Sequence, residues 1–288
     1  MNFTEETALF ECAGDTLLGV LTKPASPSKT GVVVIVGGPQ YRVGSHRQFV
    51  LLSRFLAANG LAVLRFDYRG MGDSDGEQRD FERVSDDVAA AIDTLQTHVP
   101  AVTKVVLWGL CDGASAALLY CRKTQDARVA GLCLLNPWVR SETSLAQTQV
   151  KHYYLQRLRE REFWLKLATG KVAFQALAGL FNNLRVAFSG NKVVSRSGSS
   201  SGATAPFQTG MSDAWRSFDG KILLVLSGND YTAKEFLEHV NNQPNWKNLL
   251  NAVKVVRQDL LDADHTFSNY QTRDSVAKTT ADWLNNFG

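Results

Sequence analysis

Residues 104–118 carry the feature that most constrains the chain. An apolar run from Val105 ends at Trp108, a Gly109-x-Cys111-x-Gly113 turn follows, and an alanine-rich helical run begins at once. A strand that feeds a helix through so tight a turn leaves the central side chain projecting from it. Glycine on either side lets neighbouring backbone approach where a Cβ would clash. This is a nucleophile-elbow pattern, commonly built around serine and here around Cys111. It demands a strand–turn–helix architecture, a histidine base, a carboxylate to orient that base, and backbone N–H donors for an oxyanion.

The remaining sequence supplies the architecture. Residues 7–12 and 16–23 alternate apolar and polar about Gly14-Asp15, which predicts a β-hairpin. Residues 31–36 are a continuous apolar run suited to a strand buried on both faces. Then come a helix over 46–59 stopped by Asn59-Gly60, a strand over 61–66, the glycine-rich loop 67–76 and a helix over 82–97. The elbow strand is predicted at 103–108, its helix at 113–123 and the next strand at 129–134. Strand and helix alternate throughout, so a mostly parallel sheet with helices on both faces is expected.

The alternation stops after 137. Residues 138–215 hold helical patterns over 144–167 and 171–187 and a Gly/Ser-rich loop at 195–202, with no strong buried-strand signal. Alternation resumes with strands near 221–226 and 251–257 and helices near 232–242 and 269–286. The expected organisation is a core from 1–137 and 216–288, with 138–215 inserted as a helical lid over the strand ends, where open α/β sheets bind ligands.

Composition excludes several classes. Among 288 residues the net charge is only +3, with acids and bases interspersed, which gives no case for a nucleic-acid or anionic-membrane partner. No apolar run approaches the roughly 18 residues of a bilayer span. Residues 1–6 lack a signal-peptide pattern, so a cytoplasmic location is expected. Of the four cysteines, Cys12, Cys121 and Cys133 fall in predicted strands or helices and read as small buried hydrophobes. No CxxC pair and no zinc-like spacing occurs, so neither metal nor cofactor is expected. The glycines form no phosphate-binding fingerprint. Oligomeric state is not legible.

Loops at the carboxyl ends of parallel strands share one edge, which gathers the candidate chemistry. His265 is the only histidine that follows a predicted late strand, and it fits the order nucleophile, acid, base. Asp230, after the 221–226 strand, is the matching acid. It also reads as an ordinary helix N-cap, and Asp259, Asp262 and Asp264 are sequence neighbours of His265 that compete for the role. The Asp112 N–H is one expected oxyanion donor. The second comes from the turn after residue 36, where Pro39 has no N–H, leaving Gly38 or, by preference, Gln40. Arg42, Arg47 and Trp138 are candidate substrate contacts, although the two arginines read equally well as solvated surface charges. Tyr153, Tyr154, Phe163 and Trp164 fit a pocket lining, or packing at helical spacing. Asp67 and Arg69 read as loop braces, and Ser115 as packing.

The motifs Gly37-Gly38-Pro39, Asp67-x-Arg69-Gly70-x-Gly72-x-Ser74, Gly109-x-Cys111-x-Gly113, Asp230 and Asp264-His265 stand in the order of an α/β-hydrolase, which the chain resembles over nearly its whole length. Within that superfamily, residues 34–47 and the Gly-Leu-Cys-Asp-Gly elbow resemble the type 1 exosortase A system-associated hydrolases. That resemblance implies a link to bacterial exopolysaccharide and protein-sorting loci, not a reaction. Two departures stand out: cysteine replaces serine, as in the similar dienelactone hydrolases, and Val36 stands where a histidine usually precedes the oxyanion glycine. The expected function is cleavage of a carboxylic ester, thioester or lactone of a small acyl substrate through a Cys-His-Asp triad. Acyl transfer to a sugar acceptor and a non-catalytic binding role are the alternatives.

Overall fold

The computed structural model describes residues 2–38, 40–140 and 206–287. Apart from Arg140, these all belong to one compact unit formed by Met1–Val139 and Ala205–Gly288. The helices expected over 144–167 and 171–187, the loop 195–202, Pro39 and the aromatic residues 153, 154, 163 and 164 lie outside the described residues.

The unit is built on an eight-stranded sheet. β1 (Phe3–Cys12) and β2 (Asp15–Pro24) form the expected hairpin, in register from Phe3↔Pro24 to Cys12↔Asp15. Ala13 and Gly14 both have positive φ, 52° and 92°, as the primed two-residue turns of twisted hairpins require. The others are β3 (Thr30–Ile35), β4 (Ala62–Phe66), β5 (Lys104–Leu110), β6 (Val129–Leu135), β7 (Lys221–Ser227) and β8 (Val255–Leu260). Their order is β1-β2-β4-β3-β5-β6-β7-β8, antiparallel at β1/β2 and β2/β4 and parallel everywhere else.

Helices α1 (Gln48–Ala58), α2 (Ser85–His98), α3 (Asp112–Thr124), α4 (Phe207–Ser217), α5 (Tyr231–Asn242) and α6 (Tyr270–Asn285) cover the sheet on both faces. That is why β3, β4 and nearly all of β5 and β7 are buried and read as apolar runs, interrupted in β4 by Arg65. The chain leaves β3 for β4 on one side and returns to pair β5 on the other. Ligands bind in the crevice where strand order reverses in such sheets. The carboxyl ends of β3 and β5, with Gly37-Gly38 and Cys111, border that crevice.

Two elements differ from the sequence reading. The last strand begins at Val255 and not near 251, because residues 249–251 make a 3₁₀ turn and the apolar pattern there serves packing. β8 is a mostly exposed edge strand with the sequence VVRQDL, so burial imposed no clear alternation on it. Helix α4 falls within the span assigned to the insertion, yet it packs on α3: Gly210 comes against Leu119 and Arg122, and Met211, Ala214 and Trp215 are buried. The Gly/Ser/Thr-rich run before it masked its i, i+3, i+4 apolar spacing. Trp138 and Val139 likewise belong to the core unit.

Candidate active site

Cys111 sits between β5 and α3 with φ 61° and ψ −126°, a conformation costly to a residue with a Cβ and concentrated at functional sites. The surroundings hold it there. Its N–H donates to the Leu135 carbonyl at 2.9 Å, and its carbonyl accepts the Trp138 N–H at 3.2 Å. The elbow glycines are forced by backbone proximity: a Cβ on Gly109 would strike the Gly113 backbone, and one on Gly113 would strike the Ile35 carbonyl. Cys111 is half-buried and occupies the N-cap position of α3, whose dipole favours a thiolate.

Asp230 and His265 meet. His265 Nδ1 lies 2.8 Å from Asp230 Oδ2, joining the loops after β7 and β8. Asp230 is 5% exposed and also caps α5, accepting the Thr232 N–H at 3.0 Å and the Ala233 N–H at 3.2 Å. The cap and the histidine contact were alternative readings of the sequence; one carboxylate makes both. The three rival acids are elsewhere. Asp264 is turned into its own loop, accepting N–H groups of Thr266 (3.1 Å) and Ser268 (2.9 Å). Burial pushes its pKa up, but the Ser268 and Thr266 hydrogen bonds win and hold it below the ordinary carboxylate value. Asp259 pairs with Arg257 at 3.0 Å, and Asp262 is exposed.

A buried amide that is not among the sequence candidates underpins this pair. Asn136 follows β6 with φ 43° and is fully buried. Its amide nitrogen donates to Ser227 Oγ (2.9 Å) and the His265 carbonyl (3.3 Å), and its amide oxygen accepts the Ser227 N–H (2.9 Å). Ser227 Oγ in turn donates to the Asp264 carbonyl at 2.9 Å. Asn136 thus locks the β6, β7 and β8 loops together. A buried Asn directly after an apolar strand was the available signal, since a buried amide must find partners.

The expected oxyanion donors divide. The Gln40 N–H is spent on the Gly38 carbonyl at 2.8 Å, and its side-chain oxygen accepts Ser45 N–H and Oγ–H at 2.9 and 3.1 Å, so the preferred donor is turned into its own loop. The Gly38 N–H does face the elbow, where it donates to the Asp112 carboxylate at 2.5 Å. Burial raises the pKa of that carboxylate, against hydrogen bonds from the Gly38, Asp112 and Gly113 N–H groups and attraction from His265.

Of the substrate-contact candidates, Arg42 is a brace. Its guanidinium pairs with the buried Asp67 and, at 2.7 Å, with Asp73, and its N–H donates to Asp67 Oδ1 at 2.6 Å. Arg47 is exposed, with a left-handed backbone before α1. Trp138 is half-buried beside the elbow; its carbonyl accepts the buried Ser115 hydroxyl at 2.7 Å, so Ser115 packs and ties. Arg69 braces the 67–76 loop through Asp87, with contacts of 2.8, 3.0 and 2.9 Å. Among the other histidines, His98 bonds its own helix at the Thr94 carbonyl, and burial lowers the pKa of His239 beside Trp246. His152 lies outside the described residues. No described helix is long and apolar enough to cross a membrane, and the described residues hold no cluster of three metal-ligating side chains.

A strand–turn–helix elbow at a switch point of this sheet, with an Asp–His pair on loops at the same sheet edge, is the arrangement of an α/β-hydrolase. The chain belongs to the Hydrolase_4 family, described as serine aminopeptidase S33, which it matches over residues 27–211. Solved structures with the same fold include the Pyrococcus furiosus esterase Pf2001 (15% identity, TM-score 0.64, covering 99% of this chain and 93% of that one). The α/β-hydrolase GrgF from Penicillium sp. sh18 is similar at 16% identity, TM-score 0.63 and 98% of both chains. So is Est1E from Butyrivibrio proteoclasticus with bound ferulic acid, at 15% identity, TM-score 0.59, and 97% and 98% of the two chains. None of the curated proteins compared matches the chain.

Proposed function

We propose that this α/β-hydrolase cleaves a carboxylic ester, thioester or lactone through a covalent Cys111 acyl-enzyme. The observation that carries the reading is the 2.8 Å contact between His265 and Asp230, made across 35 residues of sequence by loops at the same sheet edge as Cys111. Asp230 keeps the Nδ1 proton in place, which leaves Nε2 free to take the thiol proton. The thiolate attacks the carbonyl carbon, a C–S bond forms, and the π pair moves onto oxygen. The N–H groups of Asp112 and Gly38 are the oxyanion donors. Collapse expels the alkoxide or thiolate leaving group, which takes the proton from His265. Water then attacks the thioester, gives a proton to His265, and the C–S bond breaks to regenerate the thiolate. No step needs a cofactor.

The resemblance to exosortase A system-associated hydrolases supports a cytoplasmic role beside exopolysaccharide biosynthesis, with a small acylated molecule as substrate. The test is intact-mass analysis after mixing with a panel of p-nitrophenyl esters and quenching in acid. An acyl adduct on the protein and none on Cys111→Ala is the expected result. Undiminished ester cleavage by Cys111→Ala would sink the mechanism.

A further inference from the structure

Asp112 does more at this site than lend its backbone. Its carboxylate accepts the Gly38 N–H at 2.5 Å and lies near its own N–H and that of Gly113, which oppose the rise that burial gives its pKa. The first two of these are the donors that an attacked carbonyl oxygen needs. Gly37 makes the arrangement possible: a Cβ there would run into Asp112 Oδ1, the Leu110 carbonyl and the Gly113 nitrogen. His265 acts on the same carboxylate electrostatically from the loop after β8, and the carboxylate in turn acts on the Tyr68 phenol.

We propose that the Asp112 side chain is a resident occupant of the oxyanion pocket and gates acylation of Cys111. The proposal rests on the acylation reading above. Two anions cannot share one pair of N–H donors, so the developing oxyanion forms only after the carboxylate has rotated away. A carboxylate one residue from the nucleophile also opposes the thiolate by like-charge repulsion. Cysteine fits such a site better than serine, because an intrinsically strong nucleophile tolerates slower access to oxyanion stabilisation. The consequence is low reactivity toward simple activated esters, with full rate reserved for a substrate whose binding displaces Asp112.

The experiment compares two reactions at Cys111. Acylation by p-nitrophenyl acetate passes through an oxyanion; alkylation by iodoacetamide needs the thiolate but no oxyanion pocket. The ratio of the two rates cancels any change in thiol ionisation. Asp112→Ala retains the backbone N–H and empties the pocket. Losing a single oxyanion donor costs about 10²–10³ in rate, so its acylation-to-alkylation ratio is expected to rise by about 10-fold or more. Asp112→Asn keeps an acceptor of similar shape without the charge and is expected to fall between the two; it also serves if the alanine variant folds poorly. Equal ratios in the protein and both variants would overturn the gate while leaving Cys111 as the nucleophile. Alkylation with no acylation in any of them would overturn both readings.

Discussion

The Asp230 carboxylate accepts two N–H groups at the start of α5 and faces His265 with Oδ2, and these jobs separate by substitution. Asparagine is as good an N-cap as aspartate, whereas alanine costs about 1 kcal/mol. An amide, however, offers the imidazole no charge and the wrong tautomer, a change worth about 10⁴ in turnover at a triad. Asp230→Asn is therefore expected to unfold in urea near the parent midpoint while losing nearly all acyl turnover. Asp230→Ala is expected to lose both. An asparagine variant with undiminished turnover would show that His265 is oriented by something else. At this scale the sequence was partly legible: Cys111, Asp230 and His265 came from chain order and loop address. Asn136 and the direction of the Asp112 side chain did not, because both depend on which loops lie side by side after folding.

At the scale of elements, the glycine-rich loop after β4 is stiffened by ion pairs that sequence could name only as braces. Arg69 and Asp87 are 3% and 0% exposed and bind through three contacts, joining the loop to the first turn of α2. Removing one partner of such a pair strands a buried charge, at a cost of about 3–5 kcal/mol. Asp87→Ala is expected to show that loss in urea unfolding, and Asp87→Leu with Arg69→Met to recover much of it. An alanine variant within about 0.5 kcal/mol of the parent would mean that water reaches the pair. The elements themselves were legible wherever burial was heavy. β3, β4, β5 and β7 are apolar because helices cover both faces, and their predicted bounds fell within a residue or two. β8 was displaced because an edge strand has little burial to report, and α4 was missed because its apolar face is understood only once α3 is there to receive it.

Across the whole molecule the four thiols sort by environment. Cys12, Cys121 and Cys133 are buried at 5%, 8% and 0% exposure. Burial pushes the Cys121 thiol up to about 12 and raises Cys12 and Cys133 as well, so all three stay protonated at neutral pH. Cys111 alone is half-buried at a helix N-terminus. Iodoacetamide is expected to label one equivalent in the native protein, at Cys111 by peptide mapping, and four after unfolding in guanidinium. Labelling of Cys121 or Cys133 at the same rate as Cys111 would require an opening of the core that this packing does not provide.

The order of motifs along the chain determined the fold class, the strand that carries the elbow and the candidates for the Asp–His pair, since periodicity and turn chemistry are local properties. Tertiary structure decided what those groups touch. It gave Asp230 its second role, spent the Gln40 N–H within its own turn, drew Asn136 under three loops and turned the Asp112 carboxylate onto the Gly38 N–H. Apart from the local Gln40 turn, each of these is a hydrogen bond between residues brought together by the crossover of the sheet, and such pairings exist only after the strands have found their order.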